Sequence, residues 1–194
     1  IYPSVDLCGD GAQGAHGGSG LSSIGGTIRL GELVPGGVIR HALKAEVFAN
    51  LTLYSGPDRP GYRWPAVQAD GYAADPHSPL RYNGKNPAAV MGALLALPPD
   101  FPIDSLRTEP ARIIARAMQA YGAYIVDDTA WGVFALATER SPDGSVADEF
   151  ARTWGYLFDK TGIIYCMTET PDCLWARDMH TVYLALRIVD NNSP

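Results

Sequence analysis

Glu32 and His41 stand nine residues apart, on either side of the run Val34-Pro35-Gly36-Gly37-Val38. A carboxylate brought against an imidazole is the pairing in this sequence best suited to moving a proton. The stretch TIRLGELVPGGVIRHALKAEVFA, 27–49, reads as two strands joined at Gly36-Gly37, because glycine accepts the positive φ of a two-residue hairpin turn. That register sets Val34 against Ile39, Glu32 against His41, Leu30 against Leu43 and Ile28 against Ala45, so acid and imidazole share an otherwise apolar face. An apolar surround raises a carboxyl pKa and suits it to proton donation, and a second carboxylate would complete a glycosidase pair. Asp127 and Asp128, at the end of the apolar run Ala123-Tyr-Ile-Val, are the candidates for that second group. Two other readings stay open. His41 with a nearby tyrosine can abstract a proton from a uronic acid, as in a polysaccharide lyase, although Arg29 and Arg40 then fall on the wrong face to neutralise the carboxylate. Alternatively, Glu32–His41 is a buried hydrogen-bonded pair that sets register without turnover, and the two aspartates simply build a turn.

A glycine-rich loop, 9–26, carries His16. It lacks the Gly-Lys-Ser/Thr ending of a phosphate loop. His16-Gly17-Gly18 has the look of an esterase oxyanion segment, but no G-x-S-x-G elbow occurs in the chain. What is left is a backbone lying close to a polar ligand, or a coil packed over a sheet edge. The turn-rich segment 55–85 interleaves prolines with Tyr62, Arg63, Trp64, Tyr72 and Tyr82, and Trp131 follows the aspartates. A loop of that length is commonly functional; these aromatic rings offer apolar faces to a sugar, or else cover the open end of a core.

Cys166 and Cys173 bracket a short Pro-containing loop and can close a disulfide, leaving Cys8 over; they lack the paired spacing and nearby histidines of a zinc site. Three free buried thiols are the plain alternative. Asn50 and Asn191 each open an Asn-x-Ser/Thr sequon, compatible with secretion. No metal and no cofactor are expected.

The 194 residues carry a net charge of −6 without a basic run, which argues against a nucleic-acid partner. No apolar run reaches the ~20 residues that span a bilayer. The chain begins at Ile1, so the expectation is a single domain, 1–194, forming the C-terminal part of a longer or processed protein.

Several elements must hold the candidate residues. Residues 87–97 are apolar and fit a buried strand or a short helix, stopped by Pro98-Pro99. A helix runs from Thr108 to Gly122, with Ile114, Met118 and Tyr121 on one stripe. Residues 123–128 and 131–137 read as central strands. A second helix spans Ser145 to Lys160, a third Leu174 to Leu186, and a short strand follows over 187–190. The fold class is therefore α+β: antiparallel, sandwich-like sheets with two or three packed helices, a parallel βαβ sheet being the runner-up.

The motifs GGSGLSSIGGTIRLGEL (17–33), IRHALK (39–44), YRWPA (62–66), YGAYIVDDTAW (121–131) and LRIVDNN (186–192) together resemble a widespread group of secreted bacterial proteins. The resemblance covers most of the chain and implies secretion and a β-rich core with inserted helices; no catalytic residue carries over from it. Three functions follow as expectations. The first is a secreted glycoside hydrolase acting on an extracellular polysaccharide. The second is a non-catalytic glycan-binding module. The third is a structural subunit of an extracellular surface or fibre, associated with a missing N-terminal part or with copies of itself.

Overall fold

The computed structural model describes residues 16–58, 60–129, 131–159 and 166–189; Cys8, the start of the glycine-rich loop and the Asn191 sequon lie outside them. In chain order the elements are β1 (Leu43–Val47), α1 (Ala49–Thr52), β2 (Leu94–Ala96), a single 3-10 turn (Ile103–Ser105), α2 (Glu109–Ala120), β3 (Ala123–Asp128), β4 (Phe134–Leu136), β5 (Arg140–Ser141), β6 (Gly144–Ser145), α3 (Val146–Trp154), α4 (Pro171–Ala185) and β7 (Arg187–Val189). Helices and sheet are mixed, as expected. Five strands form one open sheet in the order β4-β1-β3-β2-β7, and β5 and β6 make a separate ribbon. The central pair, β1 with β3, is parallel, whereas β4 on β1, β2 on β3 and β7 on β2 are antiparallel.

The expected hairpin over 27–49 does not form. Only Leu43–Val47, β1, is a strand; residues 29–42 run through turns, and Ile28 makes an isolated parallel bridge to Thr138. The reason lies in Pro35. The amide of Gly37 donates to the carbonyl of Val34 at 2.8 Å, which makes Pro35 and Gly36 the central residues, with Gly36 at φ 73°. Proline followed by a glycine of positive φ builds a type II turn, whose twist splays the flanking chains instead of feeding a hairpin. The apolar residues of this stretch are nonetheless buried: Ile28, Leu33 and Ile39 join the main core.

That core lies between the sheet and the helices. Leu43 and Ala45 of β1 and Ala123 of β3 meet Ile114 and Met118 of α2, Phe150 of α3, and Trp175 and Met179 of α4. The register of α2 against α4 is held by a buried polar contact. Asp178 accepts from the Thr108 amide at 2.7 Å and from its hydroxyl at 2.6 Å, so the acid on α4 pins the N-cap residue of α2, whose hydroxyl makes no cap bond within its own helix. α3 starts as expected, Ser145 Oγ accepting from the Asp148 amide at 3.1 Å, but ends early because Gly155 takes the left-handed conformation. A second, smaller core gathers Val47, Ile125, Met91 and Tyr82 beneath the segment 54–93. The other side of β1 and β3 carries Lys44, Tyr124 and Val126, and the glycine-rich loop folds over it.

Candidate functional site

β1 has the sequence LKAEV, so Lys44 and Glu46 alternate with Leu43, Ala45 and Val47 and point away from the helices. The partner strand brings Asp127 to them through an irregularity. Ala45 lies opposite Ile125 but Glu46 lies opposite Asp127, so Val126 is an extra residue with no counterpart on β1. A bulge of this kind re-aims a side chain. Here it turns Asp127 onto the face of Lys44 and Glu46, where strict alternation would have set it on the opposite one.

The glycine-rich loop then closes the cluster. His16 Nδ1 donates to Asp127 Oδ2 at 3.1 Å, and the Gly18 and Asp128 amides each donate to Asp127 Oδ1 at 3.1 Å. Asp127 thus accepts from three donors. Lys44 Nζ donates to His16 Nε2 at 3.1 Å and to the carbonyls of Ser22 at 3.1 Å and Ser23 at 2.6 Å. All three ammonium protons are used, and the result is one chain of bonds: lysine, histidine, aspartate. Gly18 is glycine for a steric reason. A Cβ there would come within 2.8 Å of Asp127 Oδ1 and 3.0 Å of Asp70 Oδ2, so the missing atom lets two carboxylates approach the same loop.

Two tyrosines complete the surround. Tyr72 donates to Asp128 Oδ2 at 2.8 Å, and Tyr82 donates to Asp70 Oδ2 at 2.6 Å. Asp128 Oδ1 accepts from the Ala49 amide at the start of α1, at 2.8 Å. Burial, together with these acceptors, pushes both phenols far above their ordinary range, which keeps them donors.

The electrostatics divide the acids. Burial raises Glu46, with His16 and Lys44 opposing and the charge of Asp127 adding. Burial also raises Asp70, and Asp127 and Asp128 add to it while the Tyr82 hydroxyl opposes. Burial lowers Lys44 to about 8, against the pull of Glu46. A carboxyl of raised pKa on β1 therefore lies opposite a carboxyl on β3 that accepts three hydrogen bonds, on strands ~4.8 Å apart. Asp127 remains 27% exposed, within reach of a solute.

The residues expected from sequence fall in three places. Glu32 and His41 do meet, His41 Nε2 lying 3.2 Å from Glu32 Oε2, although turns and not a hairpin bring them together. His41 Nδ1 bonds the Ala42 carbonyl at 2.9 Å, and Glu32 Oε2 also accepts from the Arg29 amide at 2.8 Å. Both carboxylate and imidazole are therefore engaged locally, and the residues hydrogen-bonded to Asp127 do not include either. His41 does open onto a cavity of about 310 Å³, whose wall includes Lys44, Tyr124, Val126 and Pro65. Glu46 and Asp127 follow one step further along the same two strands.

His16, Asp127 and Asp128 belong to the cluster just described. Tyr62 is partly buried against the smaller core and pairs with Met91, and the Arg63 amide donates to the Met91 carbonyl at 2.9 Å. Trp64 and Trp131 are exposed, by 69% and 66%. Asn50 uses its amide nitrogen on the carbonyls of Pro79 and Arg81, at 3.0 and 2.8 Å, and a glycan on that atom would have to displace both contacts. Cys166 and Cys173 are buried side by side as free thiols.

Lys44, Glu46 and Asp70 are the members that sequence reasoning missed. The signal of Lys44 and Glu46 was present in β1, where two opposite charges two residues apart interrupt a strand otherwise buried. It becomes legible only if that strand is placed at the sheet's centre, with chain covering both faces. No family model, curated protein or solved structure matches this chain. Among the described residues no three His, Cys, Asp or Glu side chains are set to hold a metal ion, and no helix is long and apolar enough to cross a membrane.

Proposed function

We propose that this chain is a secreted glycoside hydrolase acting on an extracellular polysaccharide, with Glu46 and Asp127 as its carboxyl pair. One observation carries the reading: two carboxyls face one another across β1 and β3 in unlike environments, one favouring the protonated form and the other accepting three hydrogen bonds. Carboxyls separated in this way divide acid and nucleophile or base roles at a glycosidic bond. Glu46 donates the proton to the leaving oxygen. Asp127 attacks or activates water, and His16 and Lys44 orient it. The exposed rings of Trp64 and Trp131 supply faces on which a sugar can stack. The secreted location rests on the resemblance of the glycine-rich, IRHALK and YGAYIVDDTAW motifs to secreted bacterial proteins.

Reducing-sugar release on a panel of polysaccharides tests this. Wild type should release sugar, Glu46→Gln and Asp127→Asn should each lose at least ~100-fold, and Glu32→Gln should retain most activity. Absence of release by wild type across the panel, or full activity in Glu46→Gln, overturns it. The exposed tryptophans favour a second reading, a glycan-binding module. It would be identified by binding without release that survives Asp127→Asn and is lost in Trp64→Ala.

A further inference from the structure

Cys166 and Cys173 form a small buried cluster with Ala176, beside the exposed residues 167–171. The two thiols are not equivalent. Cys173 is the third residue of α4, at the positive end of the helix dipole. Its sulfur is hydrogen-bonded by the Cys166 thiol and by the hydroxyls of Thr168 and Thr170, which hold it below the ordinary thiol range. Arg177 stands one turn further along the same helix face, close enough to both sulfurs to feel their charge. Glu169 Oε1 accepts from Arg177 at 2.7 Å, and the Thr168 carbonyl also accepts from it, so the cation is tied to the loop that covers the thiols. Cys166 lies in the loop that precedes the helix. Two sulfurs alone make an incomplete zinc site.

We propose that Cys166 and Cys173 are a dithiol with fixed roles, in which Cys173 attacks a small-molecule disulfide of the glutathione type and Cys166 then closes the intramolecular bond. In the first step the Cys173 thiolate attacks one sulfur of the reagent. A Cys173–S–S–R bond forms, the reagent's own S–S bond breaks, and a thiolate leaves and takes a proton from solvent. In the second, Cys166 gives its proton to solvent, its sulfur attacks the sulfur of Cys173, and the second thiolate is expelled. Two protein thiols are oxidised and one disulfide is reduced to two thiols. The asymmetry follows from thiolate fraction, which sets the attacking partner in exchange. The bond fastens the 166–173 loop onto the first turn of α4, the helix whose Asp178 holds α2.

The test uses the full chain, with oxidised glutathione as the probe and intact mass with peptide mapping as the readout. Wild type should lose two hydrogens and yield linked peptides containing Cys166 and Cys173. Cys166→Ser should trap a glutathione adduct on Cys173, whereas Cys173→Ser should form its adduct about tenfold more slowly; circular dichroism establishes that both variants are folded. Equal adduct rates in the two variants, a link from either residue to Cys8, or wild-type Cys166 and Cys173 still open to alkylation after exposure would each overturn it. The wild-type crosslink does not depend on either variant folding, and none of these outcomes depends on glycan hydrolysis.

Discussion

Lys44 and His16 are bonded end to end, Nζ to Nε2 at 3.1 Å, so the imidazole's second nitrogen is committed as an acceptor. Nδ1 must then carry the proton it offers Asp127. Nitrogen-15 spectroscopy of the folded protein near neutral pH should find His16 as the Nδ1–H tautomer, with Nε2 bare. The Nε2–H tautomer would break the lysine–histidine–aspartate chain on which the site is built.

Lys44 makes stability depend on pH in a defined window. Its pKa falls from 10.5 to about 8 on folding. Below pH 8 it is charged in both states and its burial opposes folding. Between 8 and 10.5 the unfolded chain holds the proton more tightly, so the folded state gains stability as pH rises. Urea unfolding of wild type and Lys44→Met should therefore diverge across that window, wild type gaining on the variant. Parallel curves would show that the ammonium is not desolvated.

Glu46 acts with the opposite sign. Burial holds its folded pKa above the ordinary carboxyl value, so its neutral form favours the folded state at acid pH and that contribution is lost as pH climbs through the raised value. Glu46→Gln keeps the uncharged form at every pH. It should be more stable than wild type at neutral pH, and the difference should shrink toward pH 4. A variant less stable than wild type at neutral pH would mean that Glu46 is held there as a needed anion.

Gly18 tests the steric side of the site. Gly18→Ala sets a methyl 2.8 Å from both Asp127 Oδ1 and Met91 Cε. Over-packing of that kind should cost about 1–3 kcal/mol in chemical denaturation and should shift the His16 resonances. Gly31→Ala is the control: nothing lies within 4 Å of its new Cβ, and only the positive φ of 82° is strained. It should cost about 1–2 kcal/mol without moving His16.

Much of the frame was legible in the residues themselves. α2, α3, α4 and β7 follow from apolar stripes, a serine cap and a stopping glycine, all of which act within a few residues of one another. So does the meeting of Glu32 with His41, which survives although the turn between them is of another type. The type was readable too, since Pro35 before Gly36 selects it. The partners of β1 were not. Strand pairing joins residues about eighty positions apart, and nothing local in LKAEV states that β3 will lie parallel to it, or that the register will slip past Val126. That slip decides which face Asp127 occupies. Composition and periodicity thus determined the helices, the apolar set and the charged residues available. Only the tertiary fold could decide which carboxyls meet, because that depends on a bulge, a missing Cβ at Gly18 and a loop laid across two strands.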